Sequence, residues 1–429
     1  MHQLTTIPIL ILNVISVSLA VSSNNHTTGP RVKTINGTYE GAYLPDWDQD
    51  VFLGIPYAQP PIGELRYRWP QPINTTSEGV RNATEYGYSC MQYGSNFSLS
   101  EDCLTINVVR PSSNSISPAA TTTNDTSPPS LLPVLVWIYG GGLYAGTTAD
   151  PQYNLSGIVA TSQAMGRPII AASMNYRLGM WGFLQSPQVL AEGSSNAGLL
   201  DQRLALHWLQ ENIAAFGGDP DRVVVWGESA GAQSIAYQMF AHDGDEDSLF
   251  RGTILESGGP TGAQVEPLSW YNTAFENLTR TVGCFDGVET SDRLTCLRTV
   301  DASTLFAAHP SVVWNPLLDG SFLTAYPSQL MREGKYARVP LLLGDNTDEG
   351  FAVSVTGLPP PDTEDDLFRA MLEWRSYALT PPTVRRLLDL YPDDPCRAAP
   401  PYAIANCTRP PATKGLQWRR AAAIGGDLV

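Results

Sequence analysis

The segment that most constrains the fold of this chain is a short apolar run, residues 223–226. It is followed directly by Gly-Glu-Ser-Ala-Gly at 227–231 and then by a helical pattern at 232–241. A strand that turns this sharply into a helix holds the central serine, Ser229, in a strained conformation, and Gly227 and Gly231 leave room for it. The turn exposes the Ser229 hydroxyl at a helix N-terminus, whose dipole favours an alkoxide. The pattern therefore predicts a nucleophilic serine on an α/β framework.

Further apolar runs alternate with helical stretches, which is typical of a mostly parallel sheet with helices on both faces. A helix is predicted at 197–216, because Leu200, Leu204 and Trp208 repeat at helical spacing before Gly217. We predict core strands at residues 104–109, 134–139, 169–173, 223–226, 253–256 and 340–343. Three segments rich in polar residues or proline are predicted to be loops: 111–133, 359–366 and 392–411.

A second predicted strand ends in three glycines, Gly140 to Gly142. Acyl transfer develops negative charge on a carbonyl oxygen, and backbone N–H groups stabilise that charge only where the chain approaches closely, which glycine permits. We therefore assign the oxyanion hole to the N–H groups of Gly141 and Gly142, together with that of Ala230 directly after the nucleophile. Such donors contribute about 3 kcal/mol each to transition-state stability.

Three features of the sequence indicate a secreted protein. Residues 7–20 form an apolar run too short to span a bilayer and end at a Ser-Leu-Ala step, so residues 1–20 are predicted to be a signal peptide and no transmembrane segment is expected. Glycosylation sequons occur at Asn25, Asn36, Asn74, Asn82, Asn96, Asn124, Asn154, Asn277 and Asn406. Three close cysteine pairs predict local disulfides: Cys90 with Cys103, Cys284 with Cys296, and Cys396 with Cys407.

Charge and cysteine spacing exclude several other classes of function. The net charge is −16 and the acidic residues are spread along the chain, which argues against nucleic acid or an anionic membrane as a partner. The cysteine pairs have no histidines at the spacing of a zinc site, so no metal site is predicted.

Three motifs together resemble the type-B carboxylesterase/lipase family, which includes cholinesterases and fungal lipases. They are Gly-Ile-Pro-Tyr-Ala-Gln-Pro-Pro at 54–61, Ser-Glu-Asp-Cys-Leu-Thr-Ile-Asn-Val at 100–108 and Gly-Glu-Ser-Ala-Gly at 227–231. The resemblance extends from about residue 51 to the last residue. It implies an α/β-hydrolase fold, hydrolysis of carboxylic esters without a cofactor, and a Ser-Glu-His triad. Residues 21–429 are then expected to form a single domain that lacks the C-terminal part of the family's fold.

The family's Asp-Glu-Gly motif, which follows a late core strand, matches residues 348–350 of this chain. The resemblance therefore implies that Glu349 is the triad acid, which would hold the imidazole and stabilise the imidazolium. From the residues alone, Asp345 or Asp348 would serve nearly as well.

The resemblance implies a histidine as the triad base, but the sequence shows none at the expected place. The order on this fold is serine, acid, histidine, yet none of the five histidines follows Glu349. Only His309, in a polar turn, stays a candidate for the base. Residues 418–429 resemble a helix that, in full-length relatives, leads to another strand and then to the histidine. We therefore expect hydrolysis by these 429 residues to be lowered by several orders of magnitude.

The loop between Cys90 and Cys103 bears on the substrate. In cholinesterases the corresponding loop is longer and carries a tryptophan that binds a quaternary ammonium; here it has none, so no choline specificity is expected. Its twelve residues are too few for the amphipathic lid of the fungal lipases, which favours short or medium acyl esters. The alternative is an adhesion protein like the neuroligins; the presence of Ser229 argues against it and the missing histidine argues for it.

Overall fold

The structure is a computed structural model, and it describes residues 29–112, 131–245, 248–260, 265–310, 312–346, 349–350, 360–374, 379–393 and 417–427. The strands are β1 Arg31–Thr34, β2 Gly37–Glu40, β3 Ala42–Leu44, β4 Gln49–Pro56, β5 Val80–Asn82, β6 Ser89–Cys90, β7 Leu99–Ser100, β8 Thr105–Pro111, β9 Leu132–Ile138, β10 Ile170–Met174, β11 Gly218–Glu228, β12 Gly252–Glu256 and β13 Leu341–Gly344. The helices are α1 Ser156–Ala164, α2 Gly179–Phe183, α3 Pro187–Ala191, α4 Ala197–Asn212, α5 Ala230–Phe240, α6 Leu268–Thr281, α7 Arg293–Thr299, α8 Ala302–Ala307, α9 Pro327–Glu333, α10 Glu364–Trp374, α11 Pro381–Leu390 and α12 Trp418–Asp427.

An eight-stranded sheet organises the fold, in the order β13-β12-β11-β9-β10-β8-β4-β3. The five strands from β13 to β10 are parallel, whereas β8, β4 and β3 pair antiparallel, so the sheet is mixed. All six predicted strands lie in this sheet, and most of their ends shift by one or two residues. The sheet and its helices confirm the α/β architecture predicted from the alternating pattern.

The apolar runs of the sequence form the buried interior strands of the sheet. All five residues of β10 are buried, as expected for a parallel strand that is covered on both faces. The predicted helix at 197–216 is present as α4 followed by one 3-10 turn, Ile213–Phe216, and Gly217 ends it with φ 89°. One prediction is wrong: β13 is an edge strand whose three leucines are each more than half exposed, not a core strand.

Two small sheets, β1-β2-β5 and β6-β7, were not predicted. The loop predicted at 359–366 is also partly wrong, since α10 begins at Glu364. The cause is a reciprocal cap: the backbone N–H of Asp366 donates to the Thr363 hydroxyl (3.1 Å), and that of Thr363 donates to the Asp366 carboxylate (2.9 Å). Most of the other two predicted loops, residues 113–130 and 394–411, lies outside the described residues.

Helices α10, α11 and α12 share a hydrophobic cluster that is separate from the main core. Its buried members are Leu367, Met371, Val384, Leu388, Ala421 and Ile424. The expectation of a single domain over residues 21–429 therefore stays a prediction.

Candidate active site

Ser229 lies at the sharp turn between β11 and α5. Its backbone has φ 53° and ψ −122°, a strained conformation, and its N–H donates to the Glu256 carbonyl at 2.8 Å. Steric crowding requires glycine at both flanking positions. A Cβ at Gly227 would lie 2.7 Å from the carbonyl carbon of Gly231, and one at Gly231 would lie 2.0 Å from the Ile138 oxygen. The pattern of strand, glycine, serine, glycine and helix thus folds as the sequence predicted.

The glycine loop, residues 140–146, lies directly beside this serine. A Cβ built on Gly140 would be 2.9 Å from the Ser229 Cβ. Gly141 and Gly142 follow with φ 101° and 63°, and the Gly141 carbonyl accepts bonds from the N–H groups of Tyr144 (3.2 Å) and Ala145 (3.0 Å). The glycine loop thus begins beside Ser229, which directly precedes α5, a helix whose first N–H groups have no intrahelical acceptor. The predicted oxyanion donors therefore belong to segments that meet at Ser229.

Glu349 lies just after β13. Its Oε1 accepts hydrogen bonds from the backbone N–H of Asn346 (2.7 Å) and from the Asn346 amide (3.1 Å), and the Ser257 hydroxyl bonds to the same carboxylate. Burial alone would raise the pKa of Glu349, but these hydrogen bonds outweigh it and hold the pKa below its ordinary value. The carboxylate is thus anchored and charged. Asp345 is exposed, and Asp348 lies outside the described residues.

A third carboxyl group, which sequence reasoning missed, belongs to Glu228, immediately before the nucleophile. Burial raises the pKa of Glu228, and the nearby charges of Glu349 and Glu256 raise it further. Glu349 therefore lies close enough to the serine turn to act on its electrostatics. The signal in the sequence was a charged residue that closely follows the apolar run 223–226.

His309 and His242 each make an aromatic contact. The ring of His309 packs on Tyr93 with centroids 4.0 Å apart, and burial lowers its pKa, so it is neutral near pH 7. His242 lies edge-on to Phe322 at 5.7 Å. His207 is on α4, and His2 and His26 lie outside the described residues.

A cavity of about 290 Å³ opens next to the glycine loop. Tyr144 connects the two, because its ring lies 2.3 Å from where a Gly142 Cβ would be. Four of the described residues that line the cavity are Tyr or Trp and none is acidic; the lining consists of Met91, Gln92, Tyr93, Tyr144, Gly179, Trp181, His309, Val312, Val313 and Trp314. Sequence reasoning missed these aromatic residues, because they come from segments far apart in the chain.

Two of the three predicted disulfides are confirmed: Cys90 bonds to Cys103, and Cys284 bonds to Cys296. The predicted pair of Cys396 and Cys407 lies outside the described residues. Within the described ranges, no helix is long and apolar enough to cross a membrane. The same part of the chain contains no cluster of three His, Cys, Asp or Glu side chains that could hold a metal ion.

Comparison with known proteins agrees with this geometry. The model of the carboxylesterase family matches residues 28–384. Lipase 4 of Diutina rugosa is 36% identical over 89% of this chain and 72% of its own length. Secreted lipase 1 of Botryotinia fuckeliana is also 36% identical, over 89% of this chain and 69% of its own. Among solved structures, the crystal structure of Aspergillus niger EstA superposes with a TM-score of 0.76 at 32% identity, covering 94% of this chain and 72% of that one.

The family model spans most of the chain, the solved relative has the same fold, and the relatives are lipases and esterases. The chain therefore belongs to the carboxylesterase family and is a serine carboxylic-ester hydrolase.

Proposed function

We propose that the protein hydrolyses carboxylic esters through an acyl-enzyme on Ser229. The Ser229 oxygen attacks the ester carbonyl carbon, the C–O bond to the alcohol breaks, and the alcohol leaves with a proton; water then releases the acid and restores the serine. Gly141, Gly142 and Ala230 are the proposed N–H donors to the oxyanion, and Glu349 is the proposed acid. The observation that carries this assignment is the strained serine turn in contact with the glycine loop.

We propose that none of the histidines in this sequence accepts the Ser229 proton. Glu349, which would orient such a base, is bonded to Asn346 and Ser257. His309 packs instead on Tyr93 at the cavity wall. We therefore expect residues 1–429 by themselves to hydrolyse esters slowly, at a rate that a small base from solution raises.

The test measures hydrolysis of p-nitrophenyl butyrate with and without added imidazole. We expect the Ser229-dependent rate, obtained by subtracting the rate with the Ser229→Ala variant, to be low without imidazole and to rise by about tenfold or more with it, because a general base contributes roughly 10²- to 10⁴-fold. The His309→Ala variant is expected to behave like the parent.

Two results would count against these assignments. If the folded parent and the Ser229→Ala variant hydrolyse the ester at equal rates, with and without imidazole, Ser229 is not the residue that hydrolyses it. A fast parent that needs no imidazole and is inactivated by His309→Ala identifies His309 as the base.

The acyl group is proposed to be short or medium. A volume of about 290 Å³ is at the lower end of small-molecule sites, which run from roughly 300 to 1,000 Å³. Tyr93, from the short disulfide loop, forms part of its wall, and the Tyr93 hydroxyl is fixed by a bond to the Phe306 carbonyl at 3.0 Å.

A chain-length series of p-nitrophenyl esters checks this size limit in the same imidazole assay. We expect kcat/KM to fall by about tenfold or more from butyrate to palmitate, since a palmitoyl chain is too long for a cavity of about 290 Å³ to enclose. The matched control is para-nitrophenyl acetate, which is expected to react within a few-fold of butyrate because both fit. Equal or faster hydrolysis of palmitate contradicts the proposal.

Secretion is also proposed, together with a single domain over residues 21–429. The relative from Botryotinia fuckeliana is named a secreted lipase. Two disulfides suit an oxidising compartment. Five sequon asparagines are exposed: Asn74, Asn82, Asn96, Asn154 and Asn277. Asn36 differs, because it is buried and its amide donates to the Ile73 carbonyl, so we infer that it stays unglycosylated.

A further inference from the structure

The buried side chain of Gln92 joins the Cys90–Cys103 loop to the glycine loop. Its Oε1 accepts from the N–H of Gly146 at 2.9 Å, while its Nε2 donates to the Gly146 carbonyl at 2.8 Å and to the Cys90 carbonyl at 3.1 Å. The amide group therefore pairs with both backbone groups of Gly146, much as a neighbouring strand would. Only 4% of the residue is exposed, so water does not compete for these bonds.

Gly146 in turn packs tightly against the start of the glycine loop. A Cβ at Gly146 would lie 2.7 Å from the Gly140 carbonyl oxygen and 2.4 Å from the Tyr139 ring. Gly140 itself approaches Ser229, as described above. A displacement of Gly146 must therefore move the loop backbone next to the nucleophile, because neither contact leaves space to absorb it.

A second bond supports the same connection, since the Ser89 hydroxyl donates to the Thr147 hydroxyl at 2.8 Å. Cys90 lies between Ser89 and Gln92 in sequence, and its disulfide to Cys103 anchors the segment that carries both. The two contacts thus hold the end of the glycine loop from one anchored segment.

From these contacts we infer that Gln92 is a positioning residue for ester hydrolysis: it fixes Gly146 and thereby the glycine loop whose N–H groups stabilise the oxyanion. It does not touch the reacting atoms. The inference rests on the function proposed above, and it predicts that loss of Gln92 slows the chemical step more than it weakens substrate binding.

The test uses Gln92→Met, which keeps the volume and removes all three hydrogen bonds. The control is Gln49→Met, because Gln49 is equally buried and its amide donates to the Ser156 carbonyl at 3.0 Å, outside the glycine loop. Hydrogen–deuterium exchange, read on peptides that cover residues 140–146, is expected to speed up in Gln92→Met and to stay at the parental rate in Gln49→Met. This measurement requires no turnover.

Kinetics in the imidazole assay then test the catalytic consequence. We expect kcat of Gln92→Met to fall roughly 10- to 100-fold, as for a small misplacement of catalytic groups, with KM within about threefold of the parent. Gln49→Met is expected to keep the parental kcat. If Gln92→Met does not fold, Gln92→Glu replaces it, since it keeps the size and the acceptor for Gly146 and loses the two bonds donated by Nε2.

Equal exchange in the Gln92 and Gln49 variants overturns the inference. Faster exchange with an unchanged kcat overturns it too, because the loop position would then not matter for catalysis. A parent without Ser229-dependent hydrolysis contradicts the proposed function, and the exchange result alone then decides whether Gln92 holds the loop.

Discussion

Gly231→Ala is expected to destabilise the folded protein by at least about 4 kcal/mol, in the range reserved for severe steric and cavity mutations. The added Cβ would lie 2.0 Å from the Ile138 carbonyl oxygen and 2.9 Å from the Tyr139 oxygen. Both are backbone atoms beside the central strands, so no flexible side chain can move aside. Relief would require β9 and α5 to separate, which would break the core at its centre.

Denaturant unfolding, followed by circular dichroism, measures this effect. The matched control is Gly157→Ala in α1, because a Cβ at Gly157 meets no atom within 4 Å and its backbone is helical. That variant is expected to be as stable as the parent or more stable by up to about 1 kcal/mol. If Gly231→Ala unfolds at the parental midpoint, the packing described at the serine turn is incorrect.

Asp201→Asn is expected to cost about 3–5 kcal/mol of folding stability, because it leaves a buried guanidinium without its counter-charge. Asp201 is fully buried and Arg177 is 3% exposed. The carboxylate accepts from the Arg177 Nε at 2.8 Å, from its Nη2 at 2.7 Å and from its backbone N–H at 3.0 Å. Among the described residues, the Arg177 Nη1 already has no hydrogen-bond partner, so nothing nearby can take over.

The control is Asp286→Ala, which breaks a loose pair with Arg280 at the surface, where the aspartate side chain is 93% exposed. Exposed ion pairs contribute about 0–1 kcal/mol, so this variant should unfold close to the parent. If Asp201→Asn and Asp286→Ala lose similar amounts of folding stability, burial of the Asp201–Arg177 pair does not determine how much that pair stabilises the fold.

Much of the fold could be predicted from short sequence patterns. The apolar runs located all six predicted strands, since a short apolar run bounded by turn signals is typical of a strand in an α/β sheet. The serine turn was readable from its motif alone, although part of the steric need for Gly227 and Gly231 comes from Ile138 at the end of β9, far away in the sequence. The prediction was wrong at β13 and at 364–366, where the outcome depended on sheet order and on a cap between Thr363 and Asp366.

The sequence by itself predicted the serine turn, six strands of the main sheet and the two confirmed disulfides, because each strand run and each cysteine pair consists of residues close together in the chain. Only the tertiary structure shows that the carboxylate of Glu349 is anchored by the hydroxyl of distant Ser257, whereas Asp345 is exposed. The aromatic cavity is likewise visible only in the tertiary structure. The same is true of the pairing of Gln92 with Gly146, fifty-four positions away. Contacts of this kind are set by how separate segments pack, and hydrogen bonding or burial at one residue cannot be read from its neighbours in sequence.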